Sequence, residues 1–308
     1  MSQLTRLVED ETGGEPTGTR RFVRSSLRSL AQRLGRGSPT TVGRLLRGLD
    51  FSPRVNVKRF TGPPHPDRDR QFRYLRRQRH RFQKAGCPAL SVDAKKKELI
   101  GNFRNAGRKW SRHPDPVNAH DFPNDAQCRA VPYGIYDAAR QAGHVCVGTS
   151  AETSAFAVDA LRQWWNTQGQ QHYRGAQQIF IEADAGGSNG CRRRQWKREL
   201  QRWADHDRLA ITVGHYPTGA SKWNPVEHRL FGPITINWAG QPLRTLETML
   251  GFIRGTRSRT GLRVTARLNE KRYESKIRVT DDEMAQLNIR SHHTCPQWNY
   301  TIEPRLRL

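Results

Sequence analysis

Three acidic residues, Asp93, Asp184 and Glu227, stand where carboxylates could hold hard cations. Asp93 closes the short run Ala89-Leu90-Ser91-Val92. Asp184 closes the stretch from Gln178 and enters the loop Ala185-Gly186-Gly187-Ser188-Asn189-Gly190, and Glu227 follows Asn224-Pro225-Val226. Carboxylates on rigid elements are natural ligands for Mg²⁺. Two such ions about 3.5–4 Å apart activate an attacking oxygen and steady a leaving oxygen in phosphoryl transfer, chemistry that needs no covalent protein nucleophile. Separations of 91 and 43 residues put the acids on three different elements, whose ends can converge. Each acid also has a plainer reading: Glu227 would complement a helix macrodipole, and a strand-end Asp often caps a turn. The glycine-rich loop lets backbone approach an anion, and it reads equally as an ordinary strand-to-helix turn.

The elements that must position these residues follow from apolar spacing. Leu27, Leu30, Ala31 and Leu34 predict one helix, and Val42, Leu45, Leu46 and Leu49 a second, with Ser38 as N-cap and Pro39 at the first helical position. This is a helix-turn-helix-like region in which Arg44 and Arg47 are candidate DNA contacts, although two short amphipathic helices also occur in plain bundles. The Pro- and charge-rich stretch 60–70 reads as a linker, followed by a basic helix carrying Phe72, Leu75 and Phe82. Strands are predicted at 89–93, 99–103, 144–148, 178–184 and 209–213. Helices carry Phe156, Ala160, Leu161 and Trp164, then Trp196, Leu200 and Trp203, then Val226, Leu230, Phe231 and Ile234, with Asn224 as N-cap of the last. Strands and helices alternate, so the class is α/β. The expected divisions are a DNA-binding region at 1–60, linker and basic helix at 61–88, catalytic core at 89–240 and a basic C-terminal extension at 241–308.

With 53 Lys and Arg against 28 Asp and Glu, the net charge is +25. A chain this basic seeks a polyanion, and nucleic acid is the leading partner. Residues 1–88 hold 20 of the basic residues and 7 of the acidic ones, so the front end is the expected grip on a backbone. Coding drift also enriches Arg, so charge alone does not decide function. Five cysteines, Cys87, Cys128, Cys146, Cys191 and Cys295, form no CxxC pair and read as reduced, in a cytoplasmic protein associated with the nucleoid. No apolar run is long enough to span a membrane.

Lys95, Lys96 and Lys97 follow Asp93, and Ser221, Lys222 and His228 flank Glu227; the lysines and His228 are candidate phosphate contacts. Glu182, two residues before Asp184, reads as solvated or paired rather than as a fourth ligand. His292, His293 and Cys295 lack the second pair that a structural zinc needs.

The segments SVDAKKKELIGNF (91–103), HDFP and AVPYGIYD (120–137), ADAGGSNGCRRRQWKRELQ (183–201) and HYPTGASKWNPVEHRLFGPITINW (215–238) resemble the ISAzo-thirteen family of insertion-sequence transposases, within the DDE superfamily. The likeness runs from about Glu9 to WNYTI (298–302). It implies a ribonuclease-H-like mixed sheet flanked by helices, and Mg²⁺-dependent strand cleavage and transfer on transposon ends and target DNA, with Mn²⁺ as a substitute. By matching position, it assigns the metal-holding and catalytic roles to Asp93, Asp184 and Glu227, and it implies a homo-oligomer in a synaptic complex. Ala185 stands where the family pattern has glycine, which is expected to stiffen the turn behind Asp184. The chain begins where family members are well into their N-terminal half, so an upstream DNA-reading module is expected to be missing. The other readings are a truncated or domesticated DNA-binding protein without catalysis, and a nuclease on the same fold.

Overall fold

In the computed structural model, residues 3–10, 13–14, 21–23, 25–35, 37–53 and 65–305 are described. They fall into two units, Met1–Thr61 and Gly62–Leu308. In the first, α1 (Gln3–Asp10), α2 (Leu27–Leu34) and α3 (Pro39–Gly48) bury Leu4, Val8, Leu30, Ala31, Val42 and Leu46 together. Ser26 and Ser38 start α2 and α3 as side-chain caps, accepting from the amides of Ser29 (3.1 Å) and Thr41 (3.2 Å). Gly35, at φ +65°, ends α2 in the left-handed conformation that glycine adopts freely. The expected helix-turn-helix spacing is therefore present, with Arg44 and Arg47 exposed on α3. Residues 60–64 of the expected linker lie outside the described residues.

The second unit runs α4 (Arg68–Lys84), β1 (Ala89–Ala94), β2 (Glu98–Ile100), β3 (Cys128–Asp137), β4 (Ala142–Gly148), α5 (Ser154–Trp164), β5 (Gln178–Ala183), α6 (Arg194–Asp207) and β6 (Ala210–His215). Then come α7, a π turn over Glu227–Phe231 continued by Gly232–Asn237, α8 (Leu246–Gly255), β7 (Arg263–Asn269), α9 (Asp281–Ala285), β8 (Ile289–Ser291) and β9 (Asn299–Ile302). The sheet order is β8-β9-β6-β5-β1-β3-β4-β7, with β2 on β3. At its centre β1 pairs antiparallel with β3 and parallel with β5, while β6 continues parallel on β5 and β4 antiparallel on β3. This mixed five-strand centre, with helices on both faces, is the ribonuclease-H-like fold.

The two faces have separate cores. Helices α5 and α6 pack Phe156, Leu161, Trp196 and Trp203 onto Leu90, Val92, Ile179 and Ile181. On the other face, α7 and α8 pack Val226, Leu230, Phe231 and Met249 onto Val145, Val147 and Tyr136. Each such side chain contributes about 1.5–3 kcal/mol by leaving water. The segment expected as an extension contributes three strands to the sheet: β7 lies parallel on β4, and β9 antiparallel on β6 with β8 outside it. The helix expected beside the linker belongs to this unit too. Gln71 on α4 exchanges side-chain amide hydrogen bonds with Asn299 at 2.7 and 2.6 Å, and Tyr74, Leu75 and Phe82 pack against Phe180 and Tyr216. Among the described residues, no helix is long and apolar enough to cross a membrane, and the five cysteines are free thiols.

Glu182 is paired. The Arg79 guanidinium donates to both of its oxygens, with Nη2 at 2.8 Å from each, and the Tyr216 hydroxyl donates to it at 3.3 Å. Burial pushes the Glu182 carboxyl up despite Arg79, whereas Glu182 holds the guanidinium above its ordinary value. The two-pronged geometry marks a charged pair in which the fully buried acid bears most of the desolvation. Arg79→Ala should therefore cost about 3 kcal/mol, the low end for stripping one partner from a buried pair, because 31% of the Arg79 side chain stays exposed. Chemical denaturation would measure the loss, and the double variant Arg79→Met/Glu182→Gln should recover most of it.

Candidate active site

Asp93 sits at the next-to-last position of β1, directly opposite Gly134 of β3. Opposed residues in a strand pair point to the same face, so the Asp93 carboxylate faces α7. Gly134 makes room there: a Cβ on it would lie 2.5 Å from the Phe231 ring and 3.1 Å from Val226. Gly143 does the same under Leu230, where a Cβ would come within 2.4 Å. Two missing side chains thus let α7 settle on the sheet and bring Glu227 down to the strand ends. Within α7, Pro233 has no N–H for the Arg229 carbonyl, and the helix widens so that the Gly232 amide donates to the carbonyl of Glu227.

A buried polar hub fixes the three acids relative to one another. Asn224, fully buried, donates from Nδ2 to Asp184 Oδ1 at 3.0 Å and to the Val92 carbonyl at 3.2 Å. Its Oδ1 accepts from the Ser91 hydroxyl, and Ser91 Oγ accepts from the Val226 amide at 2.9 Å. The side chain expected to cap α7 therefore works as a cross-link, and Ser91 on the neighbouring strand does the capping. Asp184 is held from behind as well. His215, fully buried, donates from Nδ1 to the Asp184 carbonyl at 3.0 Å, while its Nε2 accepts from Tyr300 (3.2 Å), whose hydroxyl takes the Trp196 indole N–H (2.9 Å). Burial pushes His215 down to about 4, keeping the ring neutral.

The structure brings Asp93, Asp184 and Glu227 together at one spot. Burial, then the nearby charge of Asp184, then a contact with the Glu227 carboxyl push Asp93 up to about 8, although the Ala94 amide donating at 2.8 Å works against this. Burial and Glu227 also raise Asp184, with Asn224 pulling the other way. Among the described residues, no group of three or more His, Cys, Asp or Glu side chains is placed to hold a metal ion as it stands. The two aspartates are held where ionisation is opposed, with the Glu227 carboxyl beside them, and oxygen donors of this kind suit a hard divalent cation.

The basic candidates divide. Lys95 is committed elsewhere, to Glu98 at 2.5 Å and to the Trp238 ring at 4.8 Å. Lys96 is exposed, and Lys97 lies 3.9 Å from Glu152 beside a different cavity. Lys222 and His228 are exposed next to Glu227, with the His228 ring bonded to the Lys222 carbonyl and Lys222 Nζ 5.2 Å from the Trp223 ring. Arg44 and Arg47 belong to the first unit. His292 is occupied by Tyr74 and Thr301. The turn behind Asp184 takes its positive φ at Gly187 (+74°), so Ala185 is accommodated without backbone strain. Sequence reasoning missed Ser91, Gly134 and His215 and gave Asn224 a smaller role. The only signal for Ser91 and His215 was the place of each in a conspicuous motif, Ser91 two residues before Asp93 and His215 at the end of its strand.

Two consequences are measurable. Asn224→Ala orphans several buried partners, so it should cost about 1–3 kcal/mol in thermal or chemical unfolding. Asp93→Asn should stabilise the metal-free protein. The unfolded chain releases the Asp93 proton near 3.8 and the folded chain near 8, so rising pH between these values costs the wild type stability at this position that the variant does not lose. The melting-temperature gap between Asp93→Asn and wild type should be smallest near pH 4 and widen toward pH 8.

The family model for the Rhodopirellula transposase DDE domain matches residues 3–304. No curated protein matches the chain. Among solved structures it is similar to a Mos1 transposase paired-end complex with the left transposon end, at 14% identity and TM-score 0.44 over 82% of this chain and 68% of that one. It is also similar to a pre-cleavage Mos1 transpososome, at 12% identity and TM-score 0.45 over 82% of this chain and 69% of that one. With nearly the whole chain matched, and three acids gathered at the strand ends of a ribonuclease-H-like sheet, the protein belongs to the transposase DDE-domain family and is a DNA transposase.

Proposed function

We propose that Asp93, Asp184 and Glu227 are the catalytic carboxylates of this transposase and hold Mg²⁺, with Mn²⁺ able to substitute. The observation that carries this reading is the mutual crowding of three acids that Asn224, Ser91 and the glycine-floored contact of α7 hold at one point. Like-charged groups kept this close at a cost to their own ionisation are what a cation-binding site requires. When bound, the divalent ions supply activation of the attacking oxygen and charge stabilisation for the leaving oxygen.

The chain's own contribution is positional. Asp93 and Asp184 present oxygens from adjacent parallel strands whose ends cannot shift independently, because Asn224 bonds to both. Glu227 approaches from the opposite side on α7. A scissile phosphate and the attacking water or 3′-hydroxyl are thereby confined to one small region, the part of the barrier that orientation can lower. Exposed Lys96, Lys222 and His228 lie close in sequence to the acids and are available to DNA phosphates. Arg44 and Arg47 on α3 serve transposon-end recognition, and work on two ends calls for more than one copy of the chain.

The test is nicking of labelled transposon-end DNA in Mg²⁺ or Mn²⁺ by wild type and by Glu227→Gln, which keeps the side chain's shape and removes its charge. Metal-dependent nicking should disappear in the variant while DNA binding persists. Undiminished nicking by Glu227→Gln would remove Glu227 from the site. Binding without cleavage by either protein would identify a DNA-binding relic.

A further inference from the structure

The loop that follows Asp184 leads into α6, and this helix begins without a side-chain cap, at Arg193. The first-turn amides of α6 therefore lack a side-chain acceptor, with the positive end of the helix dipole behind them. Arg194 and Gln195 of this turn line a cavity of about 630 Å³ whose wall is also formed by the start of α5 and by the segment 275–279. Ser188 lines this cavity with 7% of its surface exposed, and its Oγ has no hydrogen-bond partner. Gln195, from the first turn of α6, lines it too, and its Nε2 is buried without an acceptor. A hydroxyl and an amide N–H removed from water and left unpaired on one wall mark a place where an acceptor belongs.

The remaining lining gives that acceptor its charge. Lys97, Arg192, Arg193, Arg194, Lys276 and Arg278 face the cavity with Glu152 as the single acid, and Glu152 already lies 3.9 Å from Lys97. Arg194 is engaged by Asp281 at 2.6 Å, and Arg193 donates to the Gly187 carbonyl at 3.3 Å. Arg192, Lys276 and Arg278 have no acidic partner among the described residues. Converging donors and uncompensated cations suit a group with several anionic oxygens. Arg192 also lines the neighbouring cavity beside Asp184, together with Ala185, Gly186 and Trp298. The two cavities thus meet at one side chain, and a strand leaving Asp184 has a cationic route into the second.

We infer that this pocket, formed by Ser188, Gln195 and the N-terminus of α6 and rimmed by Arg192, Lys276 and Arg278, seats a backbone phosphate of DNA a short distance from the site of cleavage. The inference rests on the transposase reading for its ligand, and it assigns the hold on the strand to a place separate from the three acids. Ser188 and Gln195 fix the phosphate oxygens, and the guanidinium and ammonium groups displace its counterions.

The test is the salt dependence of binding by the full chain to labelled DNA, read by fluorescence anisotropy in EDTA so that no cleavage occurs. Arg192→Gln/Arg278→Gln, whose changes are at exposed side chains, should bind more weakly. It should also flatten the slope of log affinity against log salt by about 0.9, the share of one phosphate on duplex DNA. Ser188→Glu, which puts a carboxylate where the phosphate would sit, should weaken binding in the same direction. A slope identical to wild type in the double arginine variant overturns the inference. So does a pocket that takes only the free ion: inorganic phosphate would then raise the melting temperature of wild type but not of the double arginine variant, while DNA binding is the same for both. Asp93→Asn, assayed separately for nicking in Mg²⁺ without EDTA, separates the two readings. Persistent nicking by that variant would overturn the catalytic assignment and leave the slope result standing.

Discussion

A single buried carboxamide holds the candidate site against its own repulsion. Asp93 and Asp184 stand on adjacent strands with Glu227 facing them, and in a medium less polarisable than water such a cluster favours moving apart or keeping its protons. Asn224 counters this with the two donors and one acceptor that its side chain offers: two N–H bonds to Asp184 and the Val92 carbonyl, and an oxygen that receives Ser91. An Asp of the same shape would bring a further negative charge and no donor toward Asp184. Every polar atom of the Asn224 side chain is used, which is the condition under which a buried network orders its surroundings instead of weakening them.

That hub works only because the backbone around it permits close approach. Gly134 and Gly143 leave the floor under α7 without side chains, and Phe231 and Leu230 fill the space. The clamps further out act through the same strands. Arg79 and Gln71 tie α4 to β5 and to the C-terminal strand β9, and β9 in turn carries Tyr300, which steadies His215 behind Asp184. The residues of β9 are structural members of the unit that carries the candidate site, and their contacts end at the carbonyl of a candidate ligand.

Legibility in the sequence tracked how local each signal was. Helices α2, α3, α5 and α6 were legible because apolar spacing is a local signal, and Ser26, Gly35, Ser38 and Pro39 mark the bounds of the first two. Strand β3 was not, because Pro132 and Gly134 lie within it and both argue against a central strand. Pro132 still contributes its carbonyl, which accepts from the Lys95 amide at 2.8 Å. Strands β8 and β9 are three and four residues long and take their meaning from partners far away in sequence. The three acids were legible as element ends. Asn224 as cross-link, Ser91 as cap and Gly134 as floor were not, since each acts on a residue more than 40 positions away or on a neighbouring strand, and spacing carries no record of that.

The three acids are unequally constrained, and the asymmetry follows from their supports. Asp93 projects from inside a strand paired on both sides and accepts from its neighbour's amide; Asp184 is gripped through its carboxylate by Asn224 and through its carbonyl by His215. Glu227 has a longer side chain and starts a π turn whose hydrogen bonds span one residue more than those of an α-helix. The two aspartates stand on or beside strands of the sheet, and Glu227 approaches them on a π turn. A reaction that moves charge from an attacking to a leaving oxygen alters the demands on its ligands as it proceeds. Of the three candidate ligands, Glu227 has the longest side chain and stands on the most widely wound backbone, so it is the one with most room to adjust.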